Sequence, residues 1–246
     1  MDKLQFHQAC DAIINTNRPK NGIGTLGEKT LHAVLKRYFE PFEDSHERKV
    51  GGFVADIVGE NGIIEIQTRN FDKLRKKLDT FLEAARVTVV YPIPQTKWLM
   101  WIDENGVCSN RRKSPKTGTI YDAFKELYKI KSYLNHPNFN LCIVLLEVEE
   151  YRYLNGWSKD KKKGSTRCDR IPIEICDEFY FEALQDFQKL IPSNLTENFT
   201  AKDYKKSAGV SLSTAQTALN ILNYLGTVQR VDKKGNAYIY KKSPIT

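Results

Sequence analysis

The sequence predicts an α/β fold followed by a small α+β unit at its C-terminal end, and three observations carry that prediction. Two β-prone apolar runs, Gly52-Phe53-Val54-Ala55-Asp56-Ile57-Val58 and Ile63-Ile64-Glu65-Ile66-Gln67-Thr68, are joined by Gly59-Glu60-Asn61-Gly62, whose Asn-Gly pair is a strong hairpin signal. On both sides of this hairpin, apolar residues recur at spacings of three and four, the period of a helix with one buried face. From about residue 196 the texture changes to two short helical patterns and a second hairpin.

The first helical stripe consists of Leu31, Val34, Leu35, Tyr38 and Phe39. Thr25 and Glu28 before it match a capping box, with the Glu28 carboxylate reaching back to the Thr25 N–H. Glu28 also falls on the inward stripe. In the hairpin, side chains alternate between faces, so Asp56 and Glu65 can both project toward one edge of the sheet and share a divalent cation. Glu65 lies between Ile64 and Ile66, and a carboxylate near a buried face is costly unless it is paired or metal-bound. After Gln67, residues 70–83 read as a helix with Asn70 as cap, apolar at 71, 74, 78, 81 and 82 and basic on the opposite face. Strands are expected at 87–91 and 97–102, a helix at 120–134, and a long strand at 141–153. A strand at 171–175 with an edge-tolerated Pro172, then a helix at 178–190 broken by Pro192, complete this part.

In the C-terminal segment, Thr200 caps a short helix closed by Gly209, and residues 211–225 form a second helix ending at Gly226. Ser213, Thr214, Gln216 and Thr217 lie on that second helix as small polar side chains suited to groove contacts. A hairpin with Lys233 and Lys234 at its tip follows. Residues 197–246 hold eight Lys or Arg against three Asp or Glu, which suits a nucleic acid. The chain thus divides into residues 1–191 and 196–246, and removing the second part is expected to weaken binding while leaving the first folded.

The whole chain carries 38 basic and 30 acidic residues, a net charge of +8, which fits a polyanionic partner. Two runs concentrate that charge beside turn residues: Arg111, Arg112, Lys113 and Lys116, and later Lys159, Lys161, Lys162, Lys163, Arg167 and Arg170. The longest purely apolar run, residues 141–146, is too short for a bilayer, and no export signal is read at the start, so a soluble cytoplasmic protein without a membrane partner is expected. Five cysteines without a Cys-x-x-Cys pair argue against a disulfide framework or a structural zinc, and the four histidines lack ligand spacing.

Asp56, eight intervening residues and Glu65-Ile66-Gln67 resemble the core of the PD-(D/E)xK nuclease superfamily, with Gln67 standing where Lys is usual. The order helix, strand, strand, strand, helix, strand is similar to that superfamily's common core. The resemblance implies a restriction-endonuclease-like mixed central sheet flanked by helices and a metal-dependent DNA endonuclease of restriction or repair type. It further implies Mg²⁺ (or Mn²⁺) held by Asp56, Glu65 and the Ile66 carbonyl, Gln67 orienting the attacking water, and Glu28 joining them from the first helix. Gln carries no charge, so the cation would come from Lys49, Lys73 or Lys77. Residues 196–246 resemble a winged helix-turn-helix. The implied partner is double-stranded DNA, and a two-fold homodimer would match its symmetry. The expected contacts are Arg69, Arg111, Arg112, Lys113, Lys161, Lys162, Lys163, Arg167, Ser213, Thr214, Gln216, Thr217, Lys233 and Lys234. Two alternatives stay open: a non-catalytic DNA-binding regulator on a degenerate nuclease scaffold, and a nuclease acting on RNA.

Overall fold

Hydrophobic patterning along the chain resolves into a mixed seven-stranded sheet covered on both faces, in a computed structural model that describes residues 1–14, 29–156 and 164–244. Helices α1 (Lys3–Ile14) and α2 (Thr30–Phe39) precede three antiparallel strands, β1 (His46–Val50), β2 (Phe53–Gly59) and β3 (Gly62–Ile66). A 3₁₀ turn at Phe71–Leu74 leads into α3 (Arg75–Ala84), which returns the chain to β4 (Val87–Ile102), parallel to β3. The short β5 (Arg112–Lys113) pairs with the far end of β4. A helical segment centred on α4 (Phe124–Leu127) then crosses to β6 (Phe139–Tyr153), again parallel to β4, and β7 (Thr166–Phe181) pairs antiparallel on its outer side. The order across the sheet is β1-β2-β3-β4-β6-β7.

The inner strands read as their positions require. Residues 139–146 of β6 are all buried, the near-continuous apolar run of a strand with neighbours on both sides and helices on both faces. One face packs α1 and α2 through Phe6, Leu31, Val34 and Leu35 against Ile57, Ile66 and Val144. The other packs Phe71, Leu78 and Phe81 with Phe124 and Leu127 against Val87, Val89 and Leu141. No helix among the described residues is long and apolar enough to cross a membrane.

Three expectations are corrected by tertiary pairing. The hairpin forms, but Gly59 pairs with Gly62, so the two-residue loop is Glu60-Asn61 and Gly62 opens β3 with φ +109°. A Cβ there would meet the Arg86 carbonyl at 2.3 Å, which is why glycine is needed. The strands expected at 87–91 and 97–102 are one strand, and the helix expected at 178–190 is strand to Phe181 followed by a 3₁₀ segment, Leu184–Leu190. In both places β6 demands a partner along its full length, which overrides local propensity. Asn70 takes the left-handed conformation (φ +59°) and makes no side-chain cap.

The C-terminal segment forms β8 (Asn198–Phe199), α5 (Ala201–Ala208), α6 (Leu212–Tyr224), β9 (Val228–Lys234) and β10 (Ala237–Lys242). Thr200 and Ser211 cap the two helices, and Gly209 closes α5 at φ +66°. This segment is not separate in its packing. Tyr204 stands edge-on to Phe124 and Tyr121, its hydroxyl donates to the Leu190 carbonyl at 2.5 Å, and Leu219 and Leu222 join the core of the large sheet.

Candidate active site

Past Ile57 and Ile64 the ladder between β2 and β3 gives way to side-chain bonds. Asp56 Oδ2 accepts from the Ile66 N–H at 2.8 Å, and Glu65 Oε1 accepts from the Asp56 N–H at 3.2 Å. Each carboxylate therefore stands in for the ladder partner its neighbour lost, and the two are drawn together at the place where the strands part. A helix from each layer then contributes a nitrogen. His32 on α2 approaches Asp56 Oδ2 at 3.1 Å, and Lys77 on α3 donates to Glu65 at 2.8 and 3.1 Å.

Burial makes this arrangement electrically unusual. Glu65 is 2% exposed; desolvation and the neighbouring Asp56 charge push its carboxyl up to about 7, although Lys77 opposes them. Burial also pushes Asp56 upward, but the His32 hydrogen bond and charge, the Ile66 N–H and Lys77 outweigh it and hold this carboxyl below its ordinary range. Two adjacent carboxyls displaced in opposite directions mark this pair as a candidate site, a pattern that a structural ion pair such as Lys77–Glu65 also produces. Nearby, the buried Lys36 pairs with Glu47 at 2.8 Å, and Glu47 has φ +51° at the position between the β1–β2 pairs His46↔Ile57 and Arg48↔Ala55, opposite Asp56. The site edge thus holds the one strained residue of β1.

The other expected residues distribute as follows. The Gln67 amide donates to the Arg69 and Asn70 carbonyls at 2.6 and 3.3 Å, bracing the turn that leaves β3 rather than facing the carboxylates. Of the three lysines considered as its substitute, Lys77 is the one at the pair. Glu28, Lys161, Lys162 and Lys163 lie outside the described residues. Arg111 stacks on Trp98 at 4.1 Å and pairs with Glu149 and Glu147, while Arg112 and Lys113 form the exposed β5. On α6, Ser213 and Gln216 are exposed and the Thr217 hydroxyl donates to the Ser213 carbonyl. Thr214 is buried and bonded to Ser211 within the helix cap, so it is not on the outward face. Lys233 and Lys234 are exposed on the β9–β10 hairpin, beside a cavity of about 550 Å³ that includes Gln216, Asn220, Arg230 and Tyr238.

Arg69 and Arg167 meet in a different place. From Tyr91 to Pro94, β4 has lost β3 and is not yet joined by the loop whose Gly118 and Ser114 N–H groups donate to the Gln95 and Lys97 carbonyls, and this open edge floors a cleft of about 470 Å³. Its walls bring Arg69 and Arg167 together with Lys97, Lys116 and Arg170, of which the last three were not singled out as contacts from the sequence. His32 was missed as well, since a lone histidine on an amphipathic helix has no distinguishing pattern. Among the described residues no three His, Cys, Asp or Glu side chains converge as a ligand set.

A family model described as Domain of unknown function (DUF8091) matches residues 29–182, from the start of α2 through the end of β7. That stretch contains the carboxylate pair, His32, Lys77 and the basic cleft. An uncharacterized protein of Treponema pallidum (strain Nichols) is 29% identical over 224 residues, covering 90% of this chain and 88% of the relative. No solved structure matches the chain.

Proposed function

The chain belongs to the DUF8091 family, and from the geometry of its carboxylate pair we propose that it is a divalent-metal-dependent endodeoxyribonuclease of PD-(D/E)xK type, with Asp56, Glu65 and Lys77 as its working groups. The observation that carries this reading is the pairing of half-buried Asp56 with buried Glu65, with a lysine supplied from α3 in place of the one Gln67 cannot provide.

The donor chemistry suits Mg²⁺ or Mn²⁺. Two carboxylates, with the Ile66 carbonyl as third donor, would make a hard, all-oxygen set, and a dication would offset the burial and the Asp56 charge that push the Glu65 carboxyl up to about 7. Bound there, the ion would supply Lewis acidity and a more acidic water. The chain does the rest. Lys77 delivers positive charge where the attacked phosphate becomes more negative, and its tether to Glu65 fixes its direction. Asp56, ionised by His32 and Ile66, keeps the pair negative at neutral pH, while Gln67 holds the exit from β3 in shape. Ser213 and Gln216 on α6, with Lys233 and Lys234 on the hairpin, would grip duplex DNA in the manner of a winged helix.

A second reading is a DNA-binding regulator without cleavage. It is favoured by the Gln67 amide being committed to backbone carbonyls and by Lys77 bonding both Glu65 oxygens, an ion pair able to replace a metal. Plasmid nicking with Mg²⁺ or Mn²⁺, comparing wild type with Asp56→Ala and Glu65→Ala, separates the two. Nicking lost in both variants supports the nuclease. Nicking indifferent to both changes, or none with any metal while DNA is still bound, overturns it.

A further inference from the structure

Arg69, Lys97, Lys116 and Arg167 come from four separate segments, respectively the exit of β3, β4, the loop after β5, and β7, and all line the cleft at the open edge of β4. None of the four makes an ion pair among the described residues, in contrast to Arg170, whose guanidinium is held by the buried Glu150 at 2.7 Å. Burial pushes the Lys97 ammonium below its usual range, and Arg170, Arg152 and Lys116 push it further against the pull of Glu150. Arg167 is displaced the same way, by burial first and then by Arg170, with Arg69 and Arg152 adding to it against the pull of Glu150. Five cationic side chains line this half-buried cleft against one acidic lining residue, Asp122, and the buried Glu150 behind Arg170, and the excess defines a positive field that an anion would satisfy.

The shape narrows the anion. Tyr91, Pro92, Ile93 and Pro94 supply an apolar floor, and Gly118 lets the opposite wall approach so closely that a Cβ would meet the Pro94 carbonyl at 2.3 Å. A volume of about 470 Å³ accommodates a nucleotide-sized group but not a duplex. Thr68, two residues beyond Ile66, lines this cleft and also a smaller cavity bounded by Lys29, Asp169 and Arg170 at the start of α2, the helix that carries His32. The cleft therefore begins at the exit of β3, three residues beyond Glu65 in the chain.

We infer that this cleft seats backbone phosphates of a single nucleic-acid strand, with sugar or base against the Tyr91–Pro94 floor. The inference rests on the nuclease reading for what is done to that strand, but binding at the cleft does not require cleavage. It also separates strand capture here from duplex contact at α6.

The test is fluorescence anisotropy of the full chain with a short 5′-phosphorylated oligothymidylate in EDTA, over a range of salt. Arg69→Gln/Lys116→Gln removes two exposed charges, and Lys97→Gln/Arg167→Gln removes two deeper ones; a thermal melt of each checks folding. Each double variant is expected to lose about ten-fold or more in affinity at moderate salt and to flatten the log K against log salt slope by ~1.4, the value for two strand phosphates. Lys3→Gln, on α1 and paired with Glu174, is expected to leave both unchanged. Inorganic pyrophosphate is expected to compete with the oligonucleotide for wild type, and pyrophosphate binding seen by calorimetry with no oligonucleotide binding by anisotropy would reassign the cleft to a small phosphorylated ligand and overturn the strand. An unchanged slope in the folded Arg69→Gln/Lys116→Gln protein overturns the inference, even if Asp56-dependent nicking is observed. Conversely, a reduced slope in that variant together with no nicking by wild type leaves the cleft standing and removes the nuclease.

Discussion

The Lys77 ammonium lies 2.8 Å from Glu65 Oε2 and 3.1 Å from Oε1, so the cation beside this carboxylate comes from the helix after β3 and not from β3 itself. Lys77→Gln is therefore expected to lower cleavage by ~10²-fold or more, the scale of losing one preorganised charge in a water-poor site. Gln67→Ala, which loosens only a turn, is expected to cost less than about ten-fold. The reverse ranking would return the catalytic role to Gln67. Independently of activity, carboxyl NMR should find Glu65 titrating higher in Lys77→Gln, because a counter-charge is gone.

The raised Glu65 carboxyl also fixes a pH dependence. Its value in the folded chain, about 7, lies above the ordinary 4.5, so between these pH values the native state binds more protons than the unfolded state, and stability falls as pH rises through that window. Asp56 acts in the opposite sense, but from an ordinary value of 3.8 downward, outside the window. Glu65→Gln should thus gain relative to wild type by on the order of 1–2 kcal/mol more at pH 8 than at pH 5, read by denaturant melts. A gain that does not change with pH would contradict the shift.

Metal binding to N but not U adds stability. Mg²⁺ in the millimolar range is expected to raise Tm at pH 8, to do so less at pH 5 where Glu65 holds its proton, and to have no effect on Asp56→Asn. Equal shifts for wild type and variant would place the ion elsewhere.

Truncation after residue 195 is expected to do more than remove a DNA contact. Phe124, Leu127 and Ile130 are fully buried in a core that Tyr204, Leu219 and Leu222 complete, and cutting these away exposes them together. The shortened chain should bind a hydrophobic dye and aggregate, whereas a sharp melt and monomeric elution would argue that the two parts are independent.

Gly62→Ala should destabilise the chain by at least ~2 kcal/mol, since positive φ and a clash with the Arg86 carbonyl act together. Asn61→Ala, one residue earlier in the loop, is expected to stay within about 0.5 kcal/mol.

Period-two alternation and one turn were enough to read the hairpin and to bring Asp56 and Glu65 to the same place, because both signals are local. The caps at Thr200 and Ser211 were legible for the same reason. Lys77 could not be chosen over Lys49 and Lys73, since which side of α3 meets the sheet depends on how Leu78 and Phe81 pack. The basic cleft was only half visible: Arg69 and Arg167 stood out in their own segments, but the gap in pairing along β4 that gathers them with Lys97 and Lys116 is a property of the sheet. Residues 178–181 look helical in isolation and are strand only because Cys142 and Leu141 on β6 pair with Tyr180 and Phe181.

Tyr204 wedged against Phe124, with Asn220 of α6 accepting from Lys131 at 3.1 Å, has a geometric corollary. The distance from α6 to Asp56 is set by packed side chains and has no slack, like the jaws of a caliper rather than a hook on a string. Anything bound at α6 would be presented to the carboxylates at the offset this packing sets, and lengthening the chain between residues 190 and 198 would not extend that reach.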